Sequence, residues 1–135
     1  MNPYPEEILS EDSDDGTMPD NVATLADAVV GHRIVNVTEE TREGRYYGSE
    51  QGTVLTLDNG KRVWLMSGGD CCAYTELDSF LLHPELVDHA ILGVGTTDGY
   101  TTWHIYCDLG DILQLGVSWS AGNTGYYGYG FSISV

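Results

Sequence analysis

The stretch at residues 67–80, SGGDCCAYTELDSF, holds two of the three cysteines in this 135-residue chain. A thiol near the start of a helix can have a lowered pKa, because the helix dipole favours the thiolate. Cys71 and Cys72 precede Thr75, which we expect to cap a helix, so a thiol nucleophile is one interpretation. The adjacent Asp70 opposes a thiolate, and no protease-type spacing surrounds the cysteines. We therefore predict no catalytic residue and keep a thiol-dependent enzyme as an alternative.

A metal site and an anion site are two further interpretations of the same stretch. A metal site needs about four ligands, and the chain has neither CxxC nor HxxxH, so we predict no metal and no cofactor. Gly68 and Gly69 could turn backbone amides towards an anion beside a helix start. The alternative is that both glycines end a strand while Cys71 and Cys72 pack as small apolar residues.

Tyrosines and glycines concentrate in two other segments, residues 41–52 and 120–130. Flat aromatic rings with close backbone approach suit stacking on a nucleotide base, and a nearby arginine suits its phosphate. Aromatic loop residues also anchor protein contacts, which is the competing interpretation. Together with the glycine-cysteine turn, the candidate ligand-binding residues are Arg42, Arg45, Tyr46, Tyr47, Gly68, Gly69, Asp70, Cys71, Cys72, Tyr126, Tyr127 and Tyr129.

The formal net charge is −16, with 21 acidic residues against five Lys and Arg. Such a field repels nucleic acid and anionic lipid, so we expect no direct nucleic-acid or membrane partner. No apolar stretch reaches the roughly 18 residues of a membrane span, and the acidic start does not resemble a signal peptide. Three cysteines do not suggest a disulfide framework. These features predict a cytoplasmic setting.

We expect the chain to divide into a disordered acidic tail at 1–20 and a single domain at 21–135. The tail has few apolar residues and seven acids, which is typical of disorder. A helix should then begin at Asp20 or Asn21 and end at Gly31. A second helix should begin at Thr75, with Leu77, Phe80 and Leu81 on its buried face. Residues 41–52 read as a polar connection.

Strand and turn signals fill the remainder. Asn59-Gly60 predicts a type I′ hairpin, and Asp98-Gly99 predicts a second two-residue turn that sets Val94 opposite Trp103. In the hairpin that follows, a two-residue loop would set the apolar face of one strand against the polar face of the next, so we expect an odd loop with a bulge there. His104 alternates with core positions and should lie on the surface. The predicted fold class is α+β, an antiparallel sheet of about six strands with two helices packed on one face.

The motif GDCCA, preceded by a DNG hairpin and followed by a helix and a terminal β-meander, resembles a family of small uncharacterised proteins of tailed phages and prophages. The resemblance covers about residues 48–135. It implies viral origin and a domain of unknown function, with no established activity.

Because the resemblance implies a phage protein, we expect a non-enzymatic phage accessory protein in the host cytoplasm. Our first hypothesis is a binding module that sequesters a small nucleotide-like signal of host defence. The alternative is an acidic inhibitor or DNA mimic that binds a basic host protein. Exposed tyrosines and edge strands also make a homo-oligomer a hypothesis.

Overall fold

Nine β-strands make up most of the chain that the computed structural model describes. The described residues are 17–43, 49–66, 68–69, 74–120 and 130–134. The strands are β1 (Ile34–Glu43), β2 (Ser49–Leu57), β3 (Arg62–Met66), β4 (Gly68–Gly69), β5 (Tyr74–Leu82), β6 (Gly93–Thr97), β7 (Thr102–Cys107), β8 (Gly110–Ser120) and β9 (Ser132–Ser134). One α-helix, α1 (Thr17–Val29), and a 3-10 helix (Pro84–Leu86) complete the described part.

The strands form two antiparallel sheets around one core. Sheet A has the order β1-β2-β3-β9, and sheet B has the order β4-β5-β8-β7-β6. Apolar side chains of both sheets and of α1 belong to a single buried cluster, in which the Trp103 and Phe131 rings meet edge to face at 5.2 Å. No helix in the described part is long and apolar enough to span a membrane.

The predicted α+β class with two helices on one sheet is therefore wrong, and its second helix is strand β5. A β-bulge between Leu77 and Ser79 shifts the alternation by one residue. Leu77 and Phe80 consequently face the core together with helix-like spacing, although the backbone is extended. Leu81, predicted to be buried, is 54% exposed.

Helix α1 begins at Thr17, ahead of the predicted cap, and buries Met18, Leu25 and Val29. Its predicted end is confirmed, because Gly31 has a φ of 86° and follows the last turn directly. Asn21 does not cap the helix. Its side-chain oxygen accepts a hydrogen bond from the Phe131 amide, which attaches α1 to the residues before β9.

The predicted hairpins exist, with different turn geometries. Only Gly60 of the Asn59-Gly60 pair has positive φ, and the Gly60 amide donates to Leu57 O at 3.0 Å, so the turn is a three-residue loop and not type I′. Four residues join β6 to β7, so Val94 faces Ile105 and not Trp103. This shift of two residues keeps the same side chains on the core face.

The bulge predicted after β7 is confirmed, but it lies in the strand, and the predicted odd loop is wrong. Cys107 pairs with Gly110 across a two-residue turn, and the register then shifts between Ile105 and Tyr106. The shift sets Ile105 opposite Leu113, which restores the match of apolar faces. Strand β1 also extends to Glu43 and β2 begins at Ser49, so most of the predicted connection at 41–52 is strand.

Candidate functional site

The three segments that hold most predicted ligand-binding residues all leave the sheets at one end of the fold. We call this the loop end and define it by the described residues that flank the segments: Glu43, Ser49, Gly69, Tyr74, Ser120 and Gly130. Glu43 pairs with Ser49 at the end of sheet A. In sheet B, Tyr74 pairs with both Gly69 and Ser120.

Two connections bring the sheet A and sheet B flanks together. In sheet A, Met66 pairs with Ser132, two residues after Gly130. In sheet B, Gly68 pairs with Thr75, and the Gly130 amide donates a 2.7 Å hydrogen bond to the Thr75 side-chain oxygen. Thr75 is fully buried, so this bond joins the two sheets beneath the loop end.

Few of the predicted site residues fall within the described part. The backbone of Arg42 lies in β1 opposite Glu50, and its side chain lies outside the description. Gly68 and Gly69 form β4, in agreement with a strand-like role for the glycine pair. The remaining predicted residues lie outside the described residues: Arg45, Tyr46, Tyr47, Asp70, Cys71, Cys72, Tyr126, Tyr127 and Tyr129.

Tyr100, in the turn between β6 and β7, is 1% exposed. Its ring meets Trp119 edge to face at a centroid distance of 6.3 Å. The Trp119 indole in turn donates a hydrogen bond to Gly99 O at 2.7 Å. The β6–β7 turn therefore supports the end of β8 and does not offer an aromatic face to a ligand.

Two arginine side chains are described, and both are ion-paired. Arg62 contacts the Glu40 carboxylate and lies 5.1 Å from the centre of the Trp64 ring. Arg33 lies 3.5 Å from the Asp58 carboxylate. Both arginines therefore already have a carboxylate partner within the fold. Binding of a phosphate at the loop end would depend on Arg42 and Arg45.

An open cleft of about 290 Å³ lies at the opposite end from Glu43 and Ser49. It is lined by Arg33, Ile34, Val35, Asp58, Val87 and Asp88. Burial acts to raise the pKa of Asp58, but hydrogen bonds from His32 and Arg33 outweigh it and lower that pKa overall. With two carboxylates against one paired arginine, the cleft suits a cationic ligand better than a phosphate.

A half-buried polar network centred on His104 lies on the face of sheet B that points away from the shared core. His104 is 7% exposed, which corrects its predicted surface position. The carboxylate of Asp111 accepts bonds of 2.8 Å from His104 Nδ1 and from Gln114. The Thr97 hydroxyl lies 2.9 Å from His104 Nε2.

The order hydroxyl, imidazole, carboxylate is that of an activated nucleophile. However, the His104 and Asp111 side chains are only 9% and 10% exposed, so this network favours a structural role. The sequence did not indicate it, because the partners come from three strands that pair only in the folded chain.

Comparisons with known proteins support the expectation that this chain belongs to an uncharacterised domain family. The comparisons with curated proteins and with solved structures gave no significant match. A family model described as a domain of unknown function, DUF7448, matches residues 27–133. This range extends the predicted resemblance towards the N-terminus, into the second half of α1. Because the match spans more than half of the chain, the protein belongs to the DUF7448 family.

Proposed function

We propose that this chain is a non-enzymatic binding module that uses its loop end to sequester a small nucleotide-like ligand. The observation that carries the proposal is the convergence of Glu43, Ser49, Gly69, Tyr74, Ser120 and Gly130 at one end of two sheets. These residues flank the three segments that hold most of the candidate arginines, tyrosines and cysteines. A rigid scaffold with variable connections at one end is a common arrangement for ligand recognition.

Recognition would combine phosphate binding with base stacking. Arg42 and Arg45 are the candidates for the phosphate, since Arg33 and Arg62 already pair with Asp58 and Glu40. The tyrosines of the same segments would supply flat faces for a base. Preorganisation would come from the buried Thr75–Gly130 bond beneath the site.

The biological setting that we propose is a phage accessory factor in the host cytoplasm, where it removes a nucleotide signal of host defence. This setting rests on the resemblance of the GDCCA region to small phage and prophage proteins. We also propose that the chain pairs with a second copy of itself, because β1 and β6 are edge strands of the two described sheets.

A thermal-shift screen against nucleotides, cyclic dinucleotides and ADP-ribose derivatives tests the proposal. A ligand at a hundred times its dissociation constant adds about 2.7 kcal/mol to the unfolding free energy, which is a visible rise in Tm. The double variant Arg42→Ala, Arg45→Ala should lose that rise. Lys61→Ala is the matched control, because Lys61 is an exposed cation next to the β2–β3 turn at the opposite end. Silence across the panel, or an equal rise in the double variant, would reject the nucleotide hypothesis.

A second candidate is an acidic inhibitor of a basic host protein. Two observations favour it. Arg33 and Arg62 pair with acids within the fold, and other acids such as Glu85 and Asp108 have side chains that are 68% and 69% exposed. This protein should then displace DNA from a purified basic partner. The complex of this protein with that partner should dissociate as the salt concentration rises. A salt-independent complex, or one that leaves DNA bound, would contradict DNA mimicry.

The thiol-enzyme alternative stays a prediction, because Cys71 and Cys72 lie outside the described residues. Rapid alkylation of one of them near neutral pH would support it.

A further inference from the structure

Three metal-ligating side chains meet at the β7–β8 hairpin. The imidazole of His89, the thiol of Cys107 and the carboxylate of Asp108 place one ligand atom each within 4.8 Å of the others. His89 Nδ1 and Asp108 Oδ1 are 3.6 Å apart. Seventeen residues lie between His89 and Cys107 in the sequence, so no motif spacing indicates this group.

The backbone holds these three residues together from two sides. Cys107 ends β7 and pairs with Gly110, which closes a tight turn with Asp108 at its first position. His89 lies in the connection between the 3-10 helix and β6. The Leu92 amide ties that connection to β7 through a 2.9 Å bond to Tyr106 O, one residue before Cys107. The cluster is therefore built on paired backbone and not on a chance contact of long side chains.

The thiol of Cys107 has a second feature that is typical of metal-bound sulfur. The Leu109 amide donates a hydrogen bond of 3.4 Å to Cys107 Sγ. This N–H donor orients the sulfur in the way that outer hydrogen bonds orient metal ligands. Cys107 is not part of a disulfide and is 4% exposed, so its sulfur lies at the inner side of the cluster.

We propose that His89, Cys107 and Asp108 form a three-ligand site for a borderline divalent cation, with zinc preferred. Zinc takes thiolate, imidazole and carboxylate donors at about 2.0–2.3 Å, which corresponds to donor separations of roughly 3.3–3.8 Å in a tetrahedron. The observed 3.6 Å between His89 and Asp108 agrees with that spacing. The three donor atoms lie within 4.8 Å of one another, so rotation of the exposed Asp108 and half-buried His89 side chains would draw the set together around the ion.

The charges of the proposed ligands also suit a divalent cation. A thiolate and a carboxylate together neutralise a divalent ion, and the net charge of −16 attracts cations to the protein. Three protein ligands leave the fourth position of the cation open for water or an external donor. The site is independent of the proposed nucleotide ligand, because the hairpin does not belong to the loop end.

Cobalt titration of the untagged full-length protein, stripped of metal, tests the site. Co²⁺ should give the intense visible bands of tetrahedral coordination and a thiolate-to-cobalt charge-transfer band, and Zn²⁺ should displace it. Cys107→Ser should lose the charge-transfer band. His89→Asn and Asp108→Asn should each weaken binding by about tenfold or more.

Two matched controls localise the signal. The double variant Cys71→Ser, Cys72→Ser should keep the charge-transfer band. His83→Asn changes a histidine that directly precedes the 3-10 helix and lies 3.5 Å from Glu85, and it should bind Co²⁺ as the wild type does. Absence of the band in the wild type, its persistence in Cys107→Ser, or its loss in the Cys71, Cys72 variant would overturn the proposal.

Folding of the variants is followed in parallel. Asp108 is 69% exposed, so Asp108→Asn should keep the metal-free Tm even if Cys107→Ser does not. Zn²⁺ should raise the Tm of the wild type and leave that of Asp108→Asn nearly unchanged. An equal rise in both proteins would place the cation elsewhere and reject this site.

Discussion

The buried hydroxyl of Thr75 accepts a hydrogen bond from the backbone amide of Gly130 at 2.7 Å, across 55 residues of sequence. Thr75 lies in sheet B, and Gly130 leads into the last strand of sheet A. One side chain therefore joins the two sheets at the point where the loop end begins.

Replacing Thr75 with valine should destabilise the fold by about 1–3 kcal/mol, because the buried Gly130 amide would lose its acceptor. Valine has nearly the same shape, so packing should change little. Urea unfolding measures the effect. Thr75→Ser keeps the hydroxyl and should recover part of the loss, while the exposed Thr101→Val should stay within about 0.5 kcal/mol of the wild type. Equal stability of Thr75→Val and Thr101→Val would show that the bond contributes nothing.

Removal of the Asp111 carboxylate should also be costly. Asp111→Ala leaves the buried His104 and the half-buried Gln114 without their shared acceptor, and we expect a loss of about 1–3 kcal/mol. Glu85→Ala breaks an exposed histidine–carboxylate contact of 3.5 Å and should cost less than about 1 kcal/mol. Chemical denaturation of both variants makes the comparison. A smaller effect for Asp111→Ala than for Glu85→Ala would rule out a stabilising network.

Acid should weaken the contribution of Asp58. Hydrogen bonds from His32 and Arg33 lower the pKa of Asp58 below its ordinary value of 3.8 despite the opposing effect of burial. A lowered folded-state pKa gives stability that is present above pH 3.8 and is lost as the pH falls through the folded value. The stability gap between the wild type and Asp58→Asn should therefore shrink between neutral pH and strong acid. Urea unfolding midpoints of both proteins across that pH range measure the difference. A difference that grows as the pH falls would contradict the prediction.

High pH should lower the stability of the fold through ionisation of Tyr106. Burial raises the pKa of the Tyr106 phenol above its ordinary value of 10.0. The unfolded chain then loses its proton first, so the stability contribution is complete below pH 10.0 and falls as the pH rises towards the folded value. Tyr106→Phe should lose less stability than the wild type above that pH. The check is thermal unfolding at neutral and alkaline pH, with the exposed Tyr74→Phe as the control. Identical alkaline loss in the wild type and Tyr106→Phe would exclude this residue as the cause.

The turn at Asn59-Gly60, the end of α1 at Gly31 and the bulge between β7 and β8 were predictable from the sequence. Each depends on residues that are close along the chain. Gly31 and Gly60 adopt positive φ, which glycine tolerates best. The bulge followed from the requirement that Ile105 and Leu113 share an apolar face.

The candidate site was less predictable. The Arg42, Gly68 and Gly69 backbones lie in strands, and the flanks of the three candidate segments converge through the Thr75–Gly130 bond. Residue types indicated the segments, but no local signal indicated that β3 leaves sheet A and continues as β4 in sheet B.

By itself, then, the sequence determined local turns, the alternation of β7 and β8, and the acidic charge. Only the tertiary structure decided that residues 74–82 are a strand, that His104 is buried and that His89 meets Cys107. The reason is physical: a bulge gives Leu77 and Phe80 helical spacing in an extended chain, and pairing with β8 selects the strand. The burial of a polar side chain depends on partners that only the long-range pairing of strands supplies.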